Sequence, residues 1–307
     1  MDGLILIRKP VGPTSHDVVA RLRKIFGQRK IGHFGTLDPS AAGLLLVALG
    51  KTTKFFPFFS HMDKTYEGRM RLGFSTDTYD RTGRPTSEES REFPALSAVE
   101  QALKSFEGKF FQLPPPYSAK KFRGKPLYVY ARKNKSMELR PFPAIVHFFR
   151  LKDYAPPHLD FEVRCSSGTY IRTLAHDLGR QLGCGAHVAV LVRTDIGGYQ
   201  LSESLSIEEL EVYYETGEIW KFLRPMETLL PFFPKIVLHE TGVRLVQNGS
   251  SVSAEHIVLS EPAALNPSAS LGEHPQVFRL FGPEGRLLAL ARKSSSADAF
   301  APFLVLI

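Results

Sequence analysis

The chain has 307 residues and a basic excess, with 39 lysines and arginines against 31 acidic residues and a formal net charge of +8. Hydrophobic residues make up 43% of it, which allows a sizeable buried core and excludes a globally disordered protein. Its two cysteines, Cys165 and Cys184, exclude a disulfide framework and a four-cysteine metal site. The basic excess suits a polyanionic partner, although charge alone assigns neither fold nor activity.

The amino-terminal segment contains an apolar run that ends at Arg8 and is too brief for a signal peptide or a membrane span. We therefore expect a cytoplasmic protein without membrane contact. From Val18 to Phe26, apolar residues recur at helical spacing, with Ser15 as the expected N-cap and Gly27 as the expected stop. This pattern predicts the first helix.

The segment from Gly32 to Gly43, GHFGTLDPSAAG, is the most informative part of the sequence. Its three glycines allow tight turns and a close approach of the backbone to a ligand. Asp38 precedes Pro39, and a residue before proline is driven out of the helical region, so its carboxylate should project from an extended or turn backbone. An aspartate in such a turn more commonly bonds its own backbone, so the motif alone leaves a structural and a catalytic role open.

Strand and helix patterns alternate along the middle of the chain without a regular strand–helix–strand rhythm. Period-two alternation predicts strands, and apolar residues at helical spacing predict helices. The predicted elements in chain order are a buried strand or helix at 44–49, a strand at 66–72, a helix at 96–106, a strand at 159–165 and a helix at 171–182. Ser206 followed by Glu209 predicts a capping box at the start of a further helix. The mixture predicts an α+β fold.

A composition shift near Pro231 and Pro234 predicts a domain boundary. Beyond it, short apolar segments are separated by glycine- and proline-rich turns, which is typical of a small β-barrel or sandwich. The predicted strands are 236–239, 277–281, 287–291 and 303–307, and the segment 260–276 is predicted to be a long loop. We therefore expect two domains, 1–231 and 232–307.

Two further residues have side chains suited to chemistry. Tyr66 stands beside Lys64 at the start of a predicted strand, in HMDKTYEG. Arg172, in SSGTYIRTLAHDLG, stands in the first turn of a predicted helix, where free N–H groups and a guanidinium suit an anion. Each observation alone favours a plainer role, because a tyrosine on a strand is commonly core and an arginine on a helix is commonly solvated.

The segment 119–140 is strongly basic, with eight lysines and arginines against one glutamate, and it interleaves these charges with aromatic residues. This composition fits either a solvated surface loop or an RNA-facing insertion whose cations neutralise phosphates.

Five blocks together resemble the bacterial tRNA pseudouridine-55 synthase family, TruB, in that family's order. They are KPVGPTSHDVV, GHFGTLDPSAAGLL, DKTYEGRMRLGFSTDTYD, PPPYSAKKFRGKPLYVYAR and GTYIRTLAHDLGRQLGCGAHVAVLVRT. The resemblance implies a pseudouridine synthase fold with a mixed, largely antiparallel central sheet, followed by a small PUA-like RNA-binding β-barrel domain. Phe34 and Ala42 depart from the pattern, since the family usually has a small residue at the first position and often Thr or Ser at the second.

The same resemblance assigns roles by position. It makes Asp38 the essential catalytic carboxylate, Arg172 the partner that holds it ionised and oriented, and Tyr66 a residue that packs against the target base and is a candidate for proton transfer. The resemblance also implies three substrate contacts: His33 would fill the gap left by the extruded nucleotide, Asp80 would be a polar contact in the RNA cleft, and Leu191 would form part of the apolar wall around the uracil. The other implied substrate- and RNA-binding residues are Tyr170 and Lys9 and, on the basic insertion, Lys120, Lys121, Arg123 and Lys125.

The implied reaction breaks the N1–C1′ bond of uridine in the T-arm of tRNA, turns the uracil and rejoins it through C5. No atom is gained or lost, so we expect no cofactor and no metal, and the sequence has no P-loop, dinucleotide fingerprint or metal-spaced His/Cys cluster. We expect tRNA as the partner and no obligate protein partner. Two alternatives stay open, a guide-RNA-dependent pseudouridine synthase and an RNA-binding or tRNA-folding protein without catalysis.

Overall fold

Two β-sheets with helices packed against them make up the protein, in a computed structural model that describes residues 1–118, 121–122, 125–126, 139–263, 277–294 and 299–307. One sheet of nine strands lies in the first two thirds of the chain, and one of six strands lies in the last third. The predicted α+β class is therefore confirmed. Among the described residues, no helix combines the length and the apolar character that a membrane crossing requires.

The central sheet is mixed and largely antiparallel, as predicted. Its strands are β1 (Gly3–Lys9), β2 (Ile31–His33), β3 (Ala42–Leu49), β4 (Lys64–Leu72), β5 (Gly108–Gln112), β8 (Phe142–Ala155), β9 (His158–Cys165), β10 (Ala186–Ile196) and β11 (Tyr199–Gln200). The order is β1-β3-β10-β4-β9-β8-β5, with β2 on β3 and β11 on β10, and within this described sheet only the β3–β10 pair is parallel. The apolar run at 44–49 is thus a buried strand. A separate short pair consists of β6 (Lys121–Phe122) and β7 (Lys125–Pro126).

The helices found in the described residues are α1 (Ser15–Ile25), α2 (Phe56–Phe59), α3 (Leu96–Ser105), α4 (Ile171–Gln181), α5 (Ile207–Glu215) and α6 (Glu240–Gln247). Short 3₁₀ turns occur at Gly50–Phe55, Leu201–Glu203, Ile219–Lys221, Met226–Thr228 and Ala254–His256. The predicted capping box of Ser206 and Glu209 is confirmed at α5. At α1 the N-cap is Thr14, so the prediction of Ser15 was wrong by one residue. Thr14 and Asp17 form a reciprocal capping box, which satisfies two of the amides at the helix start.

The carboxy-terminal sheet curls into a half-barrel. Its strands are β12 (Lys235–Leu238), β13 (Val252–Ser253), β14 (Ile257–Glu261), β15 (Val277–Phe281), β16 (Leu287–Lys293) and β17 (Ala299–Val305). The last strand begins before the predicted segment 303–307, and α6 was not predicted. Residues 264–276 of the predicted loop lie outside the described residues.

Separate hydrophobic clusters fill the protein, and two of them are important for the site. One cluster packs α3 and α4 against the central sheet and includes Tyr66 and Leu191. Another contains Phe34, the rings of Phe58 and Phe59 of α2 and residues from β15 and β16, so it joins the two sheets. Because this core is shared, the division into 1–231 and 232–307 stays a prediction.

Candidate active site

The segment from Phe34 to Ala41, which we call the Asp38 loop, connects β2 to β3 and is held by a hydroxyl of α1. The buried hydroxyl of Ser15 accepts a hydrogen bond from the Leu37 amide at 2.9 Å and donates to the Leu37 carbonyl at 3.2 Å. Gly35 has a φ of 131°, a conformation that favours glycine and that allows the loop to turn. The side chain of Asp38 projects from this fixed backbone and is 41% exposed.

Arg172 meets the Asp38 carboxylate from the first turn of α4. Its Nε lies 2.9 Å from Oδ2 of Asp38, although the two residues are far apart in the chain. The other guanidinium nitrogens donate to the carbonyls of Thr78 at 3.1 Å and Tyr117 at 2.9 Å. Because three acceptors surround a guanidinium that is only 7% exposed, the arginine is fixed and orients the carboxylate.

Asp80 lies behind this ion pair and faces the protein interior. Its carboxylate accepts hydrogen bonds from the hydroxyls of Ser40, Thr78 and Thr82, and Oδ2 lies 3.9 Å from Arg172. These hydrogen bonds lower the pKa of Asp80 against the opposing effect of burial. Asp80 therefore ties the Asp38 loop to the Arg172 side, and its expected contact with RNA stays a prediction.

Arg193 is a residue of this site that the sequence analysis missed. Its guanidinium is 1% exposed, and it donates to the carbonyls of Leu44 at 2.9 Å, Thr36 at 3.2 Å and Gly35 at 3.0 Å. Within the described part of the chain it forms no ion pair with a carboxylate. A buried cation without such a partner is costly, and here it holds the residues just before Asp38.

Strand register places Arg193 at the centre of the site. It pairs across the sheet with Tyr66 of β4 on one side and with Gly43 of β3 on the other. A Cβ atom at Gly43 would collide with the Arg193 backbone, so only glycine allows β3 and β10 to approach here. The sequence signal is an arginine directly after an apolar strand segment that includes Leu191.

Tyr66 is buried beside Arg193. Burial raises the pKa of its phenol, and the charge of Arg193 acts in the opposite direction. The hydroxyl therefore stays protonated at neutral pH, and the ring presents an apolar surface toward the cleft.

Two buried lysines lie near the site. Burial lowers the pKa of Lys64 to about 8, with a further lowering from the charge of Arg193, and its ammonium donates to the carbonyls of Ser60 and Met62. Lys9 is fully buried, with a pKa that burial lowers to about 8, and it donates to the carbonyls of its own turn at Pro10 and Pro13. The amine of Lys9 is thus turned toward backbone carbonyls in the free protein, and its contact with RNA stays a prediction.

These residues surround a cleft of about 450 Å³. The expected site residues that line it are His33, Asp38, Tyr66, Tyr170, Arg172 and Leu191. Two residues that were not expected at the site, Lys64 and Arg193, line it as well. Burial lowers the pKa of His33, with smaller contributions from Arg193 and His16, so its imidazole is neutral at pH 7. Tyr170 is the N-cap residue of α4, and its backbone is held by the side chain of Gln112.

Most of the basic insertion lies outside the described residues. Lys120 and Arg123 lie outside the described residues, and Lys121 and Lys125 are described only as members of the β6–β7 pair. Their contact with phosphate stays a prediction.

The arrangement provides one accessible carboxylate, a fixed guanidinium, a neutral phenol and an apolar wall. Asp38 is the only acidic residue among those described that line the cleft, so the described lining offers no second carboxylate for a general acid–base pair. Chemistry here depends on a single oriented anion next to a pocket for a flat, partly apolar group.

Comparison with known proteins agrees with this geometry. Residues 23–171 match the model of the TruB family pseudouridylate synthase N-terminal domain, and residues 172–231 match that of the tRNA pseudouridylate synthase B C-terminal domain. The chain is 39% identical over 265 residues to tRNA pseudouridine synthase B of Dehalococcoides mccartyi, which covers 86% of this chain and 88% of that protein. It is 38% identical over 299 residues to tRNA pseudouridine synthase B of Thermotoga maritima, covering 96% and 91%.

Solved structures are similar over nearly the whole chain. An H/ACA RNP bound to a substrate RNA containing 2′-deoxyuridine has a TM-score of 0.74 at 25% identity, covering 99% of this chain and 85% of that chain. A Cbf5-Nop10-Gar1 complex has a TM-score of 0.73 at 26% identity, covering 99% and 84%. With two family models across 23–231 and relatives near 39% identity over most of its length, the chain belongs to the TruB family of pseudouridylate synthases.

Proposed function

We propose that the protein isomerises uridine to pseudouridine at position 55 in the T-loop of tRNA, with Asp38 as the catalytic carboxylate. The observation that carries this proposal is the 2.9 Å ion pair between a half-exposed Asp38 and a buried Arg172 in a nucleoside-sized cleft. Family membership and the names of the relatives, which are tRNA pseudouridine synthases, support the substrate class.

The reaction breaks the N1–C1′ bond and forms a C5–C1′ bond, while the C5 hydrogen leaves as a proton and N1 gains one. An oriented carboxylate next to the ribose serves this exchange as nucleophile at C1′ or C6, as base toward a ribose proton, or as electrostatic partner to positive charge at C1′. Arg172 holds the carboxylate in a fixed orientation in the free enzyme. Tyr66 and Leu191 provide flat and apolar surfaces against the uracil ring.

The target base must leave its stack before it enters such a cleft, at a cost of a few kcal/mol. A neutral imidazole is suited to the space that the base vacates, and His33 on the cleft wall is the residue proposed for it. With tRNA as its substrate, the protein would act in the cytoplasm and without an obligate protein partner.

A guide-RNA-dependent enzyme is the second candidate, favoured by the similarity to an H/ACA RNP and a Cbf5-Nop10-Gar1 complex. Purified protein mixed with unmodified tRNA separates the two candidates. Turnover without guide RNA or added protein supports the stand-alone enzyme, and turnover that requires them supports the guided one.

Asp38→Asn tests the catalytic role. We expect tRNA binding close to that of the wild type and no turnover, measured as tritium release from tRNA with C5-labelled uridine. Asp153→Asn is the matched control, because Asp153 is an exposed aspartate on β8 that does not line the cleft. Tritium release by the Asp38→Asn protein at the control rate would remove Asp38 from its role. A tRNA refolding assay with the same variant measures any folding activity that survives without catalysis.

A further inference from the structure

Phe56 is exposed at the cleft, whereas the other rings of its aromatic run are buried. In the segment Phe55–Phe59, Phe55, Phe58 and Phe59 belong to the cluster that joins the two sheets. Phe56 is 50% exposed and lines the same cleft as Asp38. A single exposed apolar residue is ordinary on a protein surface, but this one faces the opening through which the proposed RNA substrate must enter.

The ring of Phe56 rests on a rigid support. Its centroid lies 6.3 Å from that of Phe34, which in turn stacks on Phe59 at 4.7 Å. The Phe56 carbonyl accepts a hydrogen bond from the Ser60 amide at 2.9 Å, which closes the short helix α2. Pro57 fixes the next backbone torsion. The backbone that carries this ring is therefore held in place, so a ligand that contacts the ring need not order it.

Phe34, one of the two departures from the family pattern, is part of this support. It is buried in the cluster that joins the two sheets and lies between Phe56 and Phe59. The large side chain of Phe34 thus supports an exposed aromatic ring at the edge of the cleft.

The position of Phe56 distinguishes it from the residues that surround the target base. Tyr66 and Leu191 are buried in the inner wall, next to Arg193 and the Asp38 loop. Phe56 lies at the exposed edge, in a lining that also includes Ser60, which is polar and uncharged. An uncharged aromatic ring does not neutralise phosphate, but it offers a flat face to a nucleobase.

We propose that Phe56 is a stacking platform for an unpaired nucleobase that flanks the target uridine in the RNA. Bases on either side of an extruded nucleotide lose stacking partners, and an aromatic side chain at the edge of the cleft replaces one of them. This inference rests on the proposed function and adds a second nucleotide contact, outside the catalytic pocket. Stacking of this kind is tolerant of sequence, because every base has a π-face.

The test measures binding of a T-arm stem-loop RNA by fluorescence anisotropy, with Phe56→Ala, Phe56→Leu and Phe56→Trp. Loss of base stacking predicts a Kd weaker by about 5- to 150-fold for the alanine variant. Leucine retains packing against Phe34 but lacks an aromatic face, so we expect Phe56→Leu to lose most of the same affinity. Tryptophan keeps an aromatic face, so we expect Phe56→Trp to bind with an affinity near that of the wild type. Trp220→Ala is the matched control, because Trp220 is an exposed aromatic residue that does not line the cleft.

Two further measurements separate stacking from other causes. The salt dependence of Kd should keep its slope in Phe56→Ala, because no phosphate contact is lost. In a series of stem-loops with one abasic loop nucleotide each, one RNA should show no further loss with Phe56→Ala, which identifies the stacked base by a thermodynamic cycle.

Wild-type turnover on the stem-loop is measured first, and its absence would refute the T-loop function together with this inference. With turnover established, wild-type affinity in Phe56→Ala or in Phe56→Leu would overturn the inference alone. An equal loss of affinity in Trp220→Ala, or an equal penalty of Phe56→Ala on every abasic RNA, would overturn it as well.

Discussion

Replacement of Arg193 by methionine and by lysine should separate the charge of this buried residue from its hydrogen bonds. The guanidinium uses three different nitrogens to contact the carbonyls of Leu44, Thr36 and Gly35. Methionine removes both the charge and the hydrogen bonds while it retains most of the volume. Lysine retains the charge but has one nitrogen, which cannot occupy three separate positions.

If conserving the charge decided stability, Arg193→Lys would be the more stable variant. We expect the opposite order. A buried carbonyl left without a donor costs about 1–3 kcal/mol. Only the bond to Leu44 is fully buried, whereas those to Thr36 and Gly35 are part-buried, so about 6 kcal/mol is the upper limit of the loss for a lysine that satisfies one of the three. Methionine leaves three carbonyls unsatisfied but also removes a buried charge, whose desolvation costs several kcal/mol. These effects offset each other, so we expect Arg193→Met to be more stable than Arg193→Lys in urea unfolding.

Turnover should fall in both variants, because the Asp38 loop loses its support. A displacement of about 1 Å at a catalytic group costs about 100-fold in rate, and tRNA affinity should stay near that of the wild type. Tritium release and anisotropy measure the two quantities separately. Wild-type turnover in Arg193→Met, or a lysine variant more stable than the methionine variant, would refute this account of Arg193.

Three further predictions concern other parts of the site. Arg172→Lys retains the charge, but one ammonium cannot reproduce the guanidinium's contacts with Asp38 and with two carbonyls. Turnover should therefore fall by about 100-fold with little change in tRNA Kd. An equal rise in Kd would contradict a purely orienting role. Lys64 has a pKa of about 8 in the folded protein and about 10.5 when unfolded, so the unfolded chain holds more protons between these values and stability should rise with pH there. Lys64→Met should lack the part of this rise that Lys64 contributes, up to about 3 kcal/mol in urea unfolding, whereas the part from Lys9, whose pKa is also about 8, remains. A pH profile of stability parallel to that of the wild type would contradict this prediction. The last prediction concerns four cations of the basic insertion, Lys120, Lys121, Arg123 and Lys125. Their neutralisation should reduce the slope of log affinity for tRNA against log salt concentration by about 0.7–0.9 per lost phosphate contact, and an unchanged slope would exclude phosphate contacts from these residues.

The elements of the fold that the sequence predicted are those with strong local signals. Helix α4 combines a regular apolar face with a terminal glycine, and β9 alternates buried and half-buried residues along its length. Helix α2 was missed because four residues, one of them proline, carry no period, and tertiary packing of its rings decides their conformation. Helix α6 was missed because it is short and lies among strands.

The site shows a similar division. Asp38 and Arg172 were found through motifs, and the structure brings them to 2.9 Å. The inward orientation of Lys9 was not predicted, because a basic residue in a sequence gives no sign of whether its amine turns to solvent or to its own backbone carbonyls. Arg193 was missed for the same reason, since its function depends on strand register and on loop carbonyls distant in sequence.

The rings of α2 also determine how the protein can be shortened. Phe58 contacts Phe233 at 5.5 Å and Phe303 at 6.5 Å between ring centroids, and Lys54 donates to the carbonyl of Val305 at 2.8 Å. Removal of residues 232–307 would take these partners away and leave an exposed apolar surface next to the Asp38 loop. Such a fragment would be prone to self-association. It would keep every residue that lines the cleft but lose the packing that supports the Asp38 loop.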